Sequence, residues 1–477
     1  MHCNKAAEYE NLSTEHLKYS HPIVITTIDM LFNIMVLCNY VPNDFGIGIL
    51  VPIPKDELGN SLRKCEDFRG ITISPVISKV FEMALYKVIG TYLKSSDSQF
   101  GFKKGMGCSH AIYTVRKTID YFVANNSTVS LCALDISKAF DRINHDKLFL
   151  KLLDRNLPIA YILLLKCWYN KTFVSVQWGK ALSKTVQLVS GVRQGSVLSP
   201  YLFAVYVDNL LLKLKKTGKG CHIKSFCFNS VMYADDLILL SPSIADLQML
   251  IDMCSEVLAE GNLVLNCLKT ACMRIGPRYN FTDCELFLNK TKLQWKSEIK
   301  YLGVHLLAGK TCKCNLQHCK QKFYRAANGI FGKIGSTKNP NVILTLVNSF
   351  CLPMLLYGME ALDLNVKTRN SIDFIYNSVF AKLFNIKDKQ TISLCQYYTG
   401  YLPASCSLDL RCVNFLTSLG TISGSLPFLI YNLVSSNDIS QICIKYSLPC
   451  EQLVNPGFYN VKKAFYGWFE NSIAHLM

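Results

Sequence analysis

Apolar and polar positions follow no single period along this chain, and the local periods predict a mixture of strands and helices. Ile47 to Pro54 is a continuous apolar run and predicts a strand; Val129 to Ile136 is another, closing on Asp135, and predicts a buried one. Ile77 to Leu93 and Ala111 to Val123 repeat apolar residues at helical spacing. Ser199-Pro200 suits an N-cap followed by a first-turn proline, opening a helix from Tyr201 to about Lys216. Ser230 to Ser241 reads as two short apolar strands around an Asp235-Asp236 tip. Val342 to Met359 carries no charge but contains Pro353, which predicts a buried helix broken at the proline. Tyr397 to Phe415 predicts packed helix. Strands and helices alternate irregularly, so the expected class is α+β and not a doubly wound parallel sheet.

Composition sharpens this picture. Half of the 477 residues are apolar and 18% are charged, enough for a sizeable core divided among several folding units. The net charge of +17 points to a polyanionic partner, with nucleic acid as the leading choice. That charge is uneven. The first fifty residues are net acidic, whereas Tyr301 to Pro340 holds no acid and seven bases: Lys310, Lys313, Lys320, Lys322, Arg325, Lys333 and Lys338. A solvated helix face usually mixes signs, so this run predicts a phosphate-backbone track.

Membrane spans are not expected, because Pro353 interrupts the longest uncharged run and Asp29 the apolar run from Ile23 to Cys38. The 21 cysteines include no Cys-x-x-Cys pair, and the polar N-terminus has no secretory pattern. Both predict a reduced protein of the cytoplasm or nucleus. Cys312, Cys314, His318 and Cys319 match no zinc-knuckle spacing, so no metal is expected on that group.

Aspartates at a hairpin tip are ordinary turn residues, and Asp235-Asp236 alone decides nothing. A third carboxylate changes that. Asp135 ends its own apolar strand, and a charge there must be paired, exposed or metal-bound. Three carboxylates from neighbouring strands could hold two Mg²⁺ ions about 4 Å apart, the arrangement that activates a hydroxyl and stabilises a departing pyrophosphate. His145 is expected on a helix surface and not as a base. Gly191 to Pro200 spells a loop in which Gln194, beside Gly195, would let an amide and bare backbone approach a ligand. Lys55 and Arg69 are ordinary surface cations or a triphosphate clamp.

In order, the chain carries Pro54-Lys55, Phe68-Arg69-Gly70-Ile71-Thr72, Gln99-Phe100-Gly101-Phe102 and Leu134-Asp135-Ile136-Ser137-Lys138-Ala139-Phe140-Asp141. Arg193-Gln194-Gly195-Ser196-Val197-Leu198-Ser199-Pro200, Tyr233-Ala234-Asp235-Asp236, Leu268-Lys269-Thr270 and Tyr301-Leu302-Gly303 follow. This ordered set resembles the reverse transcriptase of animal non-long-terminal-repeat (LINE-type) retrotransposons. The form Ser-Lys-Ala-Phe-Asp with Arg-Gln-Gly-Ser is closer to these than to group II intron maturases or retroviral enzymes.

The resemblance implies a right hand of fingers, palm and helical thumb that copies RNA into DNA with two Mg²⁺ ions, Mn²⁺ being a possible substitute. Asp135, Asp235 and Asp236 match the metal-binding carboxylates, with the Ile136 carbonyl as a further ligand. Phe140 matches the steric gate against a ribose 2′-hydroxyl. Gln194 and Gly195 lie where the incoming nucleotide is met, and Lys55 and Arg69 match cations on its phosphates. Lys269 takes the place of a lysine that protonates pyrophosphate, and Tyr301, Leu302 and Gly303 that of the primer grip. The partners implied are an RNA template, a DNA primer or target, and deoxynucleoside triphosphates.

On this reading the expected divisions are a helical lead-in at 1–45, fingers and palm at 46–307, a basic thumb at 308–400 and a helical region at 401–477. Only about fifty residues precede the fingers block, so a truncated element without its endonuclease is expected. Two alternatives stand beside the polymerase: a catalytically silent nucleic-acid-binding remnant, and a viral RNA-copying RNA polymerase, against which Phe140 counts.

Overall fold

The computed structural model describes residues 12–55, 64–281, 284–334, 339–434, 438–447 and 458–476. Two larger sheets organise the N-terminal half. The first pairs Phe68–Ile73 with Ile47–Pro54 in antiparallel fashion, and Ile47–Pro54 with Phe173–Trp178 in parallel. The second, central sheet has the strand order Gln294–Trp295, Ala271–Ile275, Val129–Asp135, Asp236–Ser241, Ser230–Tyr233.

The central strands read as continuous apolar runs because both of their faces are covered. Cys132, Leu134, Leu237 and Leu239 face one hydrophobic core, shared with the helices Ser199–Lys216 and Ile244–Glu260. Leu131, Ile238 and Leu240 face a second, shared with the helix Cys108–Ala124. A sheet sandwiched in this way is stiff, which suits strands that must hold charges at their ends.

A separate antiparallel sheet, Glu298–Tyr301, Val304–Leu307 and Lys313–Asn315, leads into the helix Gln317–Ile334. Phe323 and Ala327 bury one stripe of that helix, whereas Lys322, Arg325 and Lys333 are exposed. The basic run is therefore a solvent-facing ridge over an apolar seat. Lys338 lies outside the described residues. Cys312, Cys314 and Cys319 are partly covered, and burial pushes the Cys312 thiol up to about 12 and the Cys314 thiol up to about 11.

One sequence expectation needs correction here. The segment Val342 to Met359 does not break at Pro353. The helix Pro340–Leu346 widens into a π turn at Val347–Cys351 and continues as Leu352–Leu355. The widened turn absorbs the missing proline N–H and the ring's bulk. The stretch Tyr397 to Phe415 is two helices, Lys389–Tyr398 and Ala404–Thr421, separated by a linker in which Gly400 has φ +74°.

No single helix among the described residues is long and apolar enough to cross a membrane. One pair, Ala404–Thr421 and Leu426–Val434, would pass by length and composition if it were not bent by 110°. Its Phe415, Leu416, Leu426 and Ile430 already pack into the second core.

Candidate active site

The carboxylates are placed by strand register. Asp236 opens its strand directly opposite Asp135, the last residue of the neighbouring strand. Asp235 occupies the two-residue tip between Tyr233 and Asp236. Its neighbour Ala234 has φ +56°, a conformation that non-glycine residues rarely adopt.

Gln99 holds that conformation. Its Oε1 accepts from the Ala234 N–H (3.0 Å) and the Gly101 N–H (2.9 Å), while its Nε2 donates to the Ala234 carbonyl (3.2 Å). The segment before it docks on the hairpin's outer strand, with Phe100 N–H bonding Met232 O at 2.7 Å and Met232 N–H bonding Ser98 O at 2.8 Å. At Gly101 a β-carbon would come within 2.6 Å of the Ala234 nitrogen. The Gln-Phe-Gly-Phe block thus clamps the aspartate tip from outside.

The tip concentrates negative charge. Burial, then Asp235 and Asp135, push the Asp236 carboxyl up to about 6, with Arg69 and Lys300 opposing. Asp236 still meets solvent at the rim, so its desolvation is that of a crowded edge. Burial is also the main cause that raises Asp235; its own backbone N–H and Arg69 oppose it, and Asp135 adds to it. Carboxylates offer oxygen donors alone, the kind that hard divalent cations prefer. Asp135, Asp235 and Asp236 therefore fit such a cation by donor type, although their oxygens do not all lie within 4.8 Å of one another.

A cavity of about 600 Å³ opens in front of Asp135 and Asp235, and Asp236 is not among the residues that line it. Lys55, Arg69, Asp135, Ile136, Phe140, Gln194, Asp235 and Lys269 all line it. Residues separated by more than two hundred positions are thus gathered around one space. Lys269 Nζ stands 3.9 Å from Asp135 Oδ2. Lys55 Nζ donates to the Glu66 carbonyl at 2.6 Å, while Arg69 is exposed on the paired strand. Phe140 is stacked on Phe203, with centroids 4.4 Å apart and planes 15° apart, and meets the edge of Phe102. One face of the ring is thereby fixed against the helix.

Gly195 is not among the cavity-lining residues, and the structure gives it a different reason to be glycine. Its φ is +124°, and a β-carbon would meet the Thr72 carbonyl oxygen at 2.3 Å. Thr72 N–H in turn bonds Gln194 O at 2.6 Å. The close approach locks the loop to the first sheet, and Gln194 Nε2 then reaches Asp141 Oδ1 at 3.3 Å.

Three expectations change at this site. Ser199 does not cap the helix Ser199–Lys216; it lies inside the first turn, and Leu198 is the N-cap. The orphan donors go instead to Glu82, which is 2% exposed. Its Oε2 accepts from the Leu198 N–H at 3.0 Å and from the Val197 N–H, and Ser196 Oγ donates at 2.8 Å. Arg193 completes the cluster 3.8 Å from Glu82. A lone buried Glu in an apolar helix was the available signal, and its partner lies more than a hundred residues away.

His145 is half-buried, not on the surface, and its Nε2–H donates to the Gly191 carbonyl at 2.7 Å. Tyr301 is buried, its hydroxyl turned inward toward Val231 O at 3.4 Å, so the ring anchors the turn. Leu302 (φ +46°) and Gly303 (φ +83°) form the tip that remains accessible.

Residues 53–306 match the family described as reverse transcriptase (RNA-dependent DNA polymerase). The chain belongs to that family. Its relatives are non-long-terminal-repeat elements of animals, as the ordered motifs indicated. It is 25% identical over 295 residues to the Pol polyprotein of the type-2 retrotransposable element R2DM of Drosophila melanogaster, covering 60% of this chain and 27% of that protein. It is 31% identical over 211 residues to the probable RNA-directed DNA polymerase from transposon X-element of the same fly, covering 43% of this chain and 23% of the relative. The chain thus spans about a quarter of the length of these relatives. Among solved structures, apo telomerase from Candida tropicalis overlaps 88% of this chain and 69% of that one, at 12% identity and a TM-score of 0.43.

The reverse transcriptase fold explains why two sheets must meet at the cavity. The first sheet brings Lys55 and Arg69, the central sheet brings the aspartates, and the Gly191 to Pro200 loop bridges them.

Proposed function

We propose that this chain is an RNA-directed DNA polymerase of a retrotransposon, adding deoxynucleotides to a primer 3′-hydroxyl on an RNA template. One observation carries the reading: the cavity that holds Asp135 and Asp235 also holds Lys55, Arg69, Phe140, Gln194 and Lys269. Carboxylates alone could be a turn. Carboxylates facing cations, an aromatic wall and an amide make a place for a nucleoside triphosphate beside a metal.

In this reading Asp135, Asp235 and Asp236 would hold two Mg²⁺ ions, which would supply a lowered pKa at the primer hydroxyl and offset charge on the leaving pyrophosphate. Lys55 and Arg69 take the triphosphate, Arg69 by a forked contact and Lys55 as a point charge. Phe140, pinned by Phe203, meets the sugar and excludes a 2′-hydroxyl. Gln194 orients the nucleotide, and Lys269, now beside Asp135, hands a proton to the departing pyrophosphate. Residues 46–307 are then fingers and palm, and 308–400 the thumb. The Leu302-Gly303 tip supports the primer end, and the Lys322, Arg325 and Lys333 ridge follows the duplex backbone.

The test is extension of a DNA primer on an RNA template by deoxynucleoside triphosphates and Mg²⁺. Asp135→Asn should abolish extension while salt-sensitive binding of the primer–template persists. Extension by that variant would refute the assignment.

A further inference from the structure

Outside the cavity, Glu298, His305 and His318 bring one ligand atom each within 4.8 Å of one another. They come from three elements: the strand Glu298–Tyr301, the strand Val304–Leu307 and the first turn of the helix Gln317–Ile334. Both imidazoles address the same carboxylate oxygen. His305 Nδ1 is 2.7 Å, and His318 Nε2 3.7 Å, from Glu298 Oε1. The other oxygen, Oε2, accepts from Asn315 Nδ2 at 3.1 Å, which fixes the carboxylate plane and leaves Oε1 facing the rings.

Ligand atoms of a tetrahedral zinc ion with bonds of about 2.0–2.1 Å lie roughly 3.3 Å apart. The 2.7 and 3.7 Å separations from Glu298 Oε1 bracket that spacing. The rings are stacked, with centroids 3.9 Å apart and planes 15° apart. Seating both nitrogens on one ion requires the stacked rings to fan apart. His318 is half exposed and stands at a helix start, so it has room to do so. Two nitrogens and one oxygen favour zinc-class ions over Mg²⁺, which prefers oxygen alone. Asn315 supplies the outer hydrogen bond that orients a ligating carboxylate.

We propose that Glu298, His305 and His318 form a zinc-class divalent metal site, with a water completing the coordination. The ion joins the hairpin that carries the Leu302-Gly303 turn to the first turn of the basic helix. It fixes where that helix leaves the sheet. Sequence spacing could not show this site, because the ligands are 7 and 13 residues apart on different elements. The site does not depend on the polymerase reading.

The test is titration of the chelator-treated full chain with Co²⁺ in excess Mg²⁺, which competes for sites made of oxygen donors alone. The expected result is one saturable Co²⁺ per chain, displaced by Zn²⁺, with visible d–d bands and no near-ultraviolet sulfur charge-transfer band. His318→Ala and Glu298→Gln should each weaken binding at least tenfold with unchanged far-ultraviolet circular dichroism. His318 is half exposed, so that variant has no core to lose. Absence of saturable binding, a sulfur charge-transfer band, or indifference to both variants would overturn the proposal.

Discussion

Asp135 and Asp236 stand directly opposite one another on adjacent antiparallel strands. Like charges in that register destabilise a sheet. The fold keeps them there and adds Asp235 beside them, supported by groups that contribute no charge of their own. Gln99 holds the hairpin tip through Ala234, and the central sheet, covered on both faces, holds the strand ends. Such a conflict between local energetics and observed structure is expected at a functional site.

Gln99→Ala should release the tip without touching an aspartate. The buried Gly101 N–H loses its partner at about 1–3 kcal/mol, and the Ala234 N–H and carbonyl, which are only part-buried, lose less. Chemical denaturation should show a loss on the order of 2–3 kcal/mol. Primer extension should fall at least tenfold.

Glu82→Gln leaves Arg193 buried without its counter-charge. Breaking one partner of a buried pair costs about 3–5 kcal/mol, and a denaturant midpoint would read it. Burial already presses the Arg193 guanidinium down while Glu82 opposes it. Ser196→Ala removes only one hydrogen bond, so it should cost about 1 kcal/mol.

Gly195→Ala should lose activity without losing it altogether, because its β-carbon would meet the Thr72 carbonyl oxygen in a left-handed conformation. The strain alone is worth about 1–3 kcal/mol. The expected result is a folded chain with a displaced loop, read as a raised KM for the nucleotide. An unchanged KM would separate Gln194 from the nucleotide.

Phe140→Ala should admit ribonucleotides. The ratio of ribo- to deoxynucleotide incorporation should rise roughly tenfold or more, because a steric clash is removed. Competition on one template measures it, and an unchanged ratio would remove Phe140 from the gate role.

His145 sets an acid limit on folding. Burial holds its imidazole below the usual 6.5, against the hydrogen bond to Gly191 O. A group with a depressed folded pKa contributes stability present above 6.5 and lost as pH falls below it, because the unfolded chain takes the proton first. His145→Gln, which keeps an N–H donor, should show a shallower loss of stability below 6.5 than the parent.

Local pattern made much of the fold legible. Ile47 to Pro54, Val129 to Asp135 and the two strands around Asp235 were readable because buried strands are short apolar runs bounded by polar residues. The cavity residues were readable because each sits in a short motif whose order survives, as Lys55, Arg69, Phe140, Gln194 and Lys269 illustrate. What stayed hidden is contact across distance. Glu82 capping a helix start beyond residue 195, Gln99 gripping Ala234, and His318 turning to Glu298 and His305 leave no local spacing to detect. The Ser199 cap failed for the same reason: a remote carboxylate outcompeted the local hydroxyl.

The most direct measurement is Mg²⁺-dependent extension of a DNA primer on an RNA template by the parent chain beside Asp235→Asn. Synthesis by the parent and none by the variant is the predicted result. Equal synthesis by both, or none by either with tight salt-sensitive binding retained, would contradict catalysis at these aspartates.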